Sequence, residues 1–191
     1  MRFLTLVAFL LVPSLAVADS DRYVSLEISQ TDVDWDGFKI ISGGGLDETG
    51  DGFAITYGQY LGEDLALELS YIDGGSFSMA QSAGDRFLLD GIEYYWINDV
   101  AIEFEMSALS ASLKYDFVKE ANYKVYGRFG FFEGDMDYAG TVNGSNDYSG
   151  NVLGLGLLYN LDGDTDFKLE YSEMSDDDVF TSLSFGLVFG F

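Results

Sequence analysis

The strongest constraint on the fold is an alternation of apolar with small or polar residues that repeats with a period of two along most of the chain. A β-strand with one apolar face has this period, whereas an amphipathic helix has a period near 3.6. No apolar run after residue 20 is long enough for a membrane helix. The alternation therefore predicts an all-β protein of eight strands, at residues 24–28, 53–57, 65–71, 109–117, 123–131, 153–161, 167–171 and 183–191.

The first 18 residues differ from the rest of the chain. Arg2 precedes an apolar run from Phe3 to Val12, a Pro-Ser break follows, and Ala16-Val17-Ala18 offers a small-x-small cleavage site. This order is typical of a secretory signal peptide. We therefore predict a signal peptide at residues 1–18 and one exported domain at residues 19–191, without cysteine and hence without disulfide bonds.

The exported domain is strongly acidic. It keeps eight of the nine Lys and Arg residues and all 33 acidic residues, which gives a net charge of −25. Nucleic acids and anionic lipid surfaces are bound through clustered Lys and Arg. The charge therefore argues against both as partners.

Alternation alone leaves open whether the apolar face lines a soluble barrel or covers a membrane barrel. That face carries about thirty bulky side chains, and an eight-stranded barrel has an interior only just wide enough to be filled by side chains. The opposite face is small and polar, with mixed charges that suit a crowded lumen. The sequence therefore predicts an eight-stranded antiparallel transmembrane β-barrel. Its lumen charges would be Glu27, Glu68, Lys114, Asp116, Lys124, Arg128, Lys168 and Glu170.

The connections between the predicted strands alternate in length. Barrels of the bacterial outer membrane have short turns at one end, long loops at the other, and aromatic residues where the strands leave the bilayer. All three features are present. Short connections lie at residues 62–64, 118–122 and 162–166, and long ones at 32–51, 73–102, 133–148 and 173–180. The aromatic residues at strand ends are Tyr57, Tyr71, Phe117, Tyr123, Phe131 and Tyr159.

The last strand, SLSFGLVFGF, has an apolar residue at every second position and ends on Phe191. It resembles the C-terminal signal that the outer-membrane assembly machinery recognises, with Phe185, Leu187, Phe189 and Phe191 as the signal residues. As a pattern, residues 22–191 resemble the small outer-membrane β-barrel family, the porin-like eight-stranded barrels of the OmpA and OmpX type. The resemblance implies a monomer in the outer membrane of a Gram-negative bacterium. Its partners would be outer-membrane lipid, lipopolysaccharide and the assembly machinery.

Catalysis is not expected. Enzymes among the barrels of this size resemble one another in using a His as base or in a catalytic pair, and this sequence has no His. We therefore expect a non-enzymatic protein without catalytic residues or a cofactor. The lumen charges then have two interpretations, a structural network in which buried charges are paired or an ion path.

The long connections are where the sequence places the function. They are rich in acids, and the longest contains Tyr94, Tyr95, Trp96 and Ile97, which would contact a partner or lipid headgroups, or pack within a hairpin that prolongs the barrel. We predict surface contact, adhesion or envelope integrity through long acidic surface loops. The alternatives are a narrow porin-like channel or carrier for small or hydrophobic solutes, and a soluble lipid-binding barrel in the periplasm.

One segment, TDVDWDGF at residues 31–38, matches the first half of a calcium loop. Its candidate ligands are Asp32, Asp34 and Asp36, but Gly43 stands where the full motif needs a bidentate carboxylate. We therefore expect either calcium binding no tighter than a Kd of about 10⁻⁴–10⁻³ M or a solvated acidic loop.

The phase of the alternation changes in the same region. Ile28 ends the apolar face of the first strand, whereas Val33 and Trp35 are apolar on the other face. The first strand is therefore expected to leave the bilayer near residues 29–31, which would place the aspartates in the first surface loop.

The resemblance of the last strand to an assembly signal generates a prediction. Deleting Phe191, or replacing it with Ser, should reduce the amount of protein assembled in the outer membrane more than the loss of one apolar contact would, because recognition rather than stability is impaired. Quantifying the heat-modifiable, folded protein in outer-membrane fractions measures this. Normal amounts of the truncated protein would contradict the assignment.

Overall fold

The computed structural model describes residues 21–35, 37–175 and 179–191, so the predicted signal peptide lies outside the described residues. The described chain is all-β, as predicted, and contains no helix long and apolar enough to cross a membrane. Its strands are β1 (Arg22–Asp34), β2 (Phe38–Ser42), β3 (Gly45–Asp47), β4 (Thr49–Tyr60), β5 (Leu65–Gln81), β6 (Arg86–Leu89), β7 (Ile92–Tyr95), β8 (Val100–Lys119), β9 (Tyr123–Gly140), β10 (Gly144–Asp162), β11 (Thr165–Ser175) and β12 (Val179–Gly190).

Eight of these strands form a closed antiparallel barrel, in the order β1, β4, β5, β8, β9, β10, β11 and β12. The barrel closes because β1 pairs with both β4 and β12, while β5 pairs with β8. The predicted eight-stranded barrel is confirmed. Closure pairs the backbone around the whole circumference, as a bilayer requires, because hydrocarbon offers no partner to a free N–H or C=O.

The two ends of the barrel differ. One end carries the tight turns at residues 61–64, 120–122 and 163–164, close to the predicted short connections. At the other end β3 pairs with β5, and β2, β6 and β7 form a separate three-stranded sheet, which we call the apical sheet. Short turns face the periplasm and the longer connections face the exterior in outer-membrane barrels.

Two of the predicted long loops, residues 133–148 and 173–180, are wrong. β9 and β10 continue past the apolar band and leave only residues 141–143 between them, and β11 and β12 extend into the other segment. Strand pairing outside the bilayer persists because it still satisfies backbone hydrogen bonds around a packed interior. The barrel strands also extend into the other two predicted loops, residues 32–51 and 73–102. The remaining parts of these loops contain β2, β3, β6 and β7.

The lower part of the barrel wall, which we call the membrane zone, is apolar outside and polar inside. Its most exposed outward apolar side chains are between 37% and 61% exposed. They include Leu26, Ile28, Phe53, Ile55, Leu109, Leu113, Phe129, Phe131, Leu153, Leu155, Leu183 and Phe185. A wall of this kind suits lipid outside and a filled polar lumen inside.

The upper part of the wall, between the membrane zone and the apical sheet, has the opposite polarity. Its inward side chains form an apolar cluster, the upper core, made of Val33, Phe77, Met106, Ala108, Phe132, Met136, Val152, Met174 and Phe180. Outward positions on the same strands are acidic or polar and exposed, including Glu103, Glu105, Glu133, Asp135 and Asp137. This upper zone is therefore built like a water-soluble barrel.

The predicted end of the first strand near residues 29–31 is wrong, and the change of polarity along the wall explains why. β1 continues without a break through Asp34, and Val33 is 3% exposed inside the upper core. The phase change after Ile28 therefore marks a change of surrounding solvent along one strand and not the end of the strand. Asp32 and Asp34 lie on the outer face of β1 rather than in a loop, and Asp36 lies outside the described residues.

A β-bulge on β5 keeps apolar side chains of this strand facing the upper core. The pairing with β8 shifts register between Asp73 and Gly75, and Gly75 has a φ of 81°, which favours glycine. The Gly75 N–H donates to the Asp73 side chain at 3.0 Å. One extra residue lets both Ile72 and Phe77 pack against the upper core although they have different sequence parity.

Glycines make room for the tyrosines that fill the lumen. Tyr126 lies opposite Gly156 in the β9–β10 register, and Tyr23 lies opposite Gly58 in the β1–β4 register. A Cβ on Gly156 would lie 2.2 Å from the Tyr126 ring, and one on Gly58 would lie 2.1 Å from the Tyr23 ring. Each tyrosine ring therefore occupies the space that a side chain at the facing glycine would fill.

Replacing Gly156 with Ala should displace the buried Tyr126 ring and destabilise the barrel by roughly 1–3 kcal/mol, as overpacking a filled interior does. The urea midpoint of the detergent-refolded protein measures the change. Gly127→Ala is the matched control on the neighbouring strand, because its Cβ would meet nothing closer than 3.8 Å. Equal midpoints for Gly156→Ala and Gly127→Ala would contradict a tight tyrosine–glycine fit.

Candidate functional site

Five predicted lumen residues meet in one buried network at the level of the membrane zone. Lys168 Nζ lies 2.8 Å from Glu27 Oε1 and 3.1 Å from Glu170 Oε2. Arg128 Nη2 lies 2.6 Å from Glu170 Oε1, and Arg128 Nη1 lies 4.0 Å from Glu68 Oε2. All five residues are at most 7% exposed. Each charge thus faces an opposite charge where water is scarce.

The remaining predicted lumen charges lie toward the periplasmic end. Lys114 Nζ is 2.5 Å from Asp116 Oδ1, and both residues are buried. Lys114 also donates to the Tyr60 hydroxyl at 3.0 Å, and that hydroxyl donates to Asp116 at 3.0 Å. Lys124 is half-buried, and its Nζ lies 5.6 Å from the centroid of the Tyr60 ring. It forms no ion pair with a carboxylate of the described residues.

Hydroxyl groups complete the network, and the sequence did not single them out as members. Tyr126 donates to Glu170 at 2.6 Å, and Tyr23 donates to Glu68. Glu27 accepts hydrogen bonds from Ser25 at 2.7 Å and from Ser184 at 2.9 Å. A signal was available for Tyr23 and Ser25, because both have the inward parity of Glu27 on β1.

Apolar and aromatic clusters lie above and below the five-residue network. The lower cluster, next to the periplasmic turns, contains Tyr23, Ala66, Tyr126, Leu158 and Val188, with Tyr60 packed against it. The upper core lies on the exterior side of the network. Side chains therefore fill the described lumen at three successive levels. The five-residue network occupies the middle level, and the Lys114–Asp116 pair lies with the lower cluster.

Two of the three candidate calcium ligands, Asp32 and Asp34, lie in the described part of the chain. Asp32 Oδ1 accepts a hydrogen bond from Thr49 at 2.8 Å on the outer wall. Asp34 is exposed on the same face, and Asp36 lies outside the described residues. No group of three or more acidic residues in the described chain is arranged to hold a metal ion. Weak calcium binding remains an expectation from sequence.

The aromatic segment of the longest connection is split between two environments. Trp96 stacks on Phe87, with ring centroids 4.8 Å apart, and so packs under the apical sheet. Tyr94, Tyr95 and Ile97 are 44%, 70% and 79% exposed. The segment thus contributes both to a packed interior and to an exposed apolar surface.

The proposed assembly residues lie on the lipid-facing side of the closing strand. Phe185, Leu187, Phe189 and Phe191 are 47%, 39%, 40% and 60% exposed. β12 pairs with β1, and the Phe191 N–H donates to the Arg22 carbonyl at 2.9 Å. These side chains are therefore accessible from outside the barrel at its seam.

Replacing Arg128 with Met should destabilise the barrel by roughly 3–5 kcal/mol, because it leaves Glu170 and Glu68 as buried acids short of a partner. The free energy of urea unfolding of the refolded protein in detergent measures the loss. Lys119→Met is the matched control, since its ion pair with Asp64 is 36% and 45% exposed, and exposed pairs contribute about 0–1 kcal/mol. Similar unfolding free energies for the two variants would show that the lumen charges do not act as a buried network.

Comparison with solved structures identifies the same barrel in other bacteria. Ail, the attachment invasion locus protein of Yersinia pestis, is 17% identical and aligns with 91% of this chain and 100% of its own at a TM-score of 0.58. Neisserial surface protein A is 16% identical over 90% and 98% of the two chains, with a TM-score of 0.57. The N-terminal β-barrel domain of Pseudomonas aeruginosa OprF is 15% identical over 87% and 97%, with a TM-score of 0.52. These identities show the fold alone.

A search of curated proteins finds no match to this chain. A family model does match it: residues 3–191 fit the outer membrane protein beta-barrel domain. The match spans nearly the whole chain, and its strand closure and apolar outer wall agree with that assignment. The protein therefore belongs to the outer membrane beta-barrel domain family and is a porin-like barrel of the bacterial outer membrane.

Proposed function

We propose that this barrel is a non-enzymatic, non-conducting protein that acts by surface contact on the exterior side of the membrane. The observation that carries the proposal is the filled lumen, in which a lower cluster, a buried ion-pair network and the upper core follow one another. The packed side chains of these described layers block a water-filled path for solutes. The proposed function therefore lies on the surface above the membrane zone.

The upper wall supports contact with lipopolysaccharide. Glu105, Asp137 and Asp135 form a row of acids across β8 and β9, and Asp147 lies opposite Asp135 on β10. The pKa of the Asp135 carboxyl is raised because its protonated form donates a hydrogen bond to Asp147, and also because the facing carboxylate repels its charged form. A divalent cation shared with a lipopolysaccharide phosphate would relieve the same repulsion.

The apical sheet supports contact with a partner beyond the membrane. Ile92, Tyr94, Tyr95 and Ile97 are between 44% and 79% exposed. Contiguous exposed apolar and aromatic residues are typical of contact surfaces. A polyanionic partner fits poorly here, because the chain is strongly acidic and Arg86 on the same sheet is already paired with Glu93 at 2.9 Å. The heparin analogue bound to Ail in one solved structure therefore does not transfer to this chain.

Catalysis has little support. The chain has no His and no Cys, so a Ser or water nucleophile would have only carboxylates as a base near neutral pH. The buried carboxylates of the lumen are ion-paired or hydrogen-bonded. Their oxygens are therefore already occupied by protein partners and do not face a substrate.

The surface-contact proposal predicts that the double variant Tyr95→Ser, Ile97→Ser lowers retention of producing cells on polystyrene by about half, because it removes the two most exposed of these four side chains. Leu61→Ser is the matched control, since Leu61 is 60% exposed but lies in a periplasmic turn. Equal surface amounts of each protein, verified by protease accessibility on whole cells, make retention comparable. Retention that is the same for all three proteins would contradict contact through this sheet.

The channel alternative makes the opposite electrical prediction. The refolded wild-type protein should give no steady unitary currents in planar bilayers, because charged and apolar side chains block the lumen at three levels. A variant of the middle layer, Glu170→Ala, tests whether removing one plug residue is enough to open a path. Steady currents from the wild type would contradict the non-conducting proposal and support the channel function.

A further inference from the structure

The upper end of β10 pairs with only one neighbour among the described strands. Residues 144–148 pair with β9 on one side. On the other side, the pairing with β11 begins only at Asn151, because β11 ends at Ser175. The three residues between Ser175 and Val179 are too few to pair along this stretch of β10. Residues 144–148, which we call the β10 edge, therefore present backbone N–H and C=O groups sideways.

Side chains on both faces of the β10 edge are accessible. Asn146 lies opposite Met136 and shares its inward direction, yet Asn146 is exposed whereas Met136 is only 9% exposed. Asp147 lies opposite Asp135 on the outward face and is exposed as well. On β9, at the same level, exposed and buried positions alternate as in a continuous wall. The wall of the upper zone is therefore open beside the β10 edge.

An apolar cavity of about 600 Å³ lies behind this opening. Phe104, Met136 and Phe180 are among the residues that line it, and Asn146 and Asp147 of the β10 edge line it too. The side chains of a strand placed beside β10 would alternate between the cavity and the outer wall. The cavity thus offers space to the apolar side chains at every second position of such a strand.

The outer wall beside the opening is acidic. Asp147, Asp135, Asp137 and Glu105 are exposed on the outward face of β10, β9 and β8. None of the four forms an ion pair within the described chain. Lys or Arg at the outward positions of an added strand would face these acids. A second copy of this acidic chain would bring further carboxylates instead, so like charges disfavour self-pairing.

We propose that the β10 edge binds an extended cationic peptide segment, in which apolar residues alternate with Lys or Arg, as an additional strand of the upper wall. The peptide backbone pairs with residues 144–148. Its apolar side chains enter the cavity, and its cations lie beside Asp147. The site is one form of the surface contact proposed above and rests on that proposal, although it uses β10 and not Tyr95 or Ile97. Loss of peptide binding and loss of retention on polystyrene are therefore separate results.

The binding test uses the protein in nanodiscs of zwitterionic phospholipid, which does not capture a cationic probe. The probes are four fluorescent peptides: KVKVKVK, the block sequence KKKKVVV, the polar KTKTKTK and the acidic EVEVEVE. Fluorescence anisotropy should show saturable binding of KVKVKVK and none of EVEVEVE. KKKKVVV has the same charge and composition without an apolar face, and KTKTKTK has no apolar side chains for the cavity. Both should bind about tenfold more weakly than KVKVKVK.

Two charge variants test the location of the site. Asp147→Lys should weaken the binding of KVKVKVK about tenfold, because it reverses the charge beside the β10 edge. Asp51→Lys is the matched control. It changes the net charge by the same amount at an exposed position on β4 and should leave the binding unchanged. Equal weakening by the two variants would show attraction to the net charge alone and would overturn the site.

Disulfide cross-linking tests the strand geometry, because the chain contains no Cys. Ser145→Cys places one thiol on the outward face of the β10 edge, since Ser145 lies opposite Asp137. Derivatives of KVKVKVK with a single Cys at each position in turn should cross-link strongly from the Lys positions and weakly from the Val positions. Facing side chains of paired strands are about 4.5–5.5 Å apart at Cβ, whereas alternate residues point to the other face.

Heat-modifiable migration on gels shows that each variant is folded. The proposal is overturned if the folded wild type shows no saturable binding of KVKVKVK, if KKKKVVV binds as tightly, or if the cross-linking does not alternate. Self-cross-linking of the Ser145→Cys protein in place of the peptide, together with a dimer in detergent, would also overturn it, because the occupant would then be a second copy.

Discussion

The requirement that every backbone N–H and C=O be paired inside hydrocarbon determines the rest of this structure. β1 meets both β4 and β12, and the closed barrel has no edge. Closure of only eight strands makes the lumen narrow, so inward side chains pack against one another. A charge in so narrow a space must be paired, and Arg128 and Lys168 lie against Glu170 for that reason.

The same wall passes through two solvents. Below, lipid is outside, so apolar side chains point out and the ion pairs point in. Above, water is outside, so acids point out and the upper core points in. One strand can serve both zones because alternate residues face opposite sides of the wall. On β5 the bulge at Gly75 shifts by one residue which side chains face inward. The upper zone is thereby stabilised like a small soluble barrel.

This organisation is the basis for proposing a function outside the lumen. Tyr23 and Tyr126 lie over Gly58 and Gly156 and close the lower end, which leaves the outer wall and the apical sheet as accessible surfaces. We propose cation-mediated contact for the acidic outer wall and apolar contact for the apical sheet. Each lies where the barrel extends beyond the bilayer.

The sequence by itself determined the number of strands, their approximate positions, the lipid-facing side and the inward location of the lumen charges, because a period of two records which residues share a face. It did not determine which charges pair. Glu170 on β11 meets Arg128 on β9 through the register of both strands with β10, and Lys124 contacts a tyrosine ring instead of an acid. Nor did it distinguish a strand that ends from one that leaves lipid for water, as at Val33, because both change the phase of the pattern. Only the tertiary structure decided these points, since closure of the barrel brings together residues far apart in the chain and places Trp35 and Trp96 around one cavity.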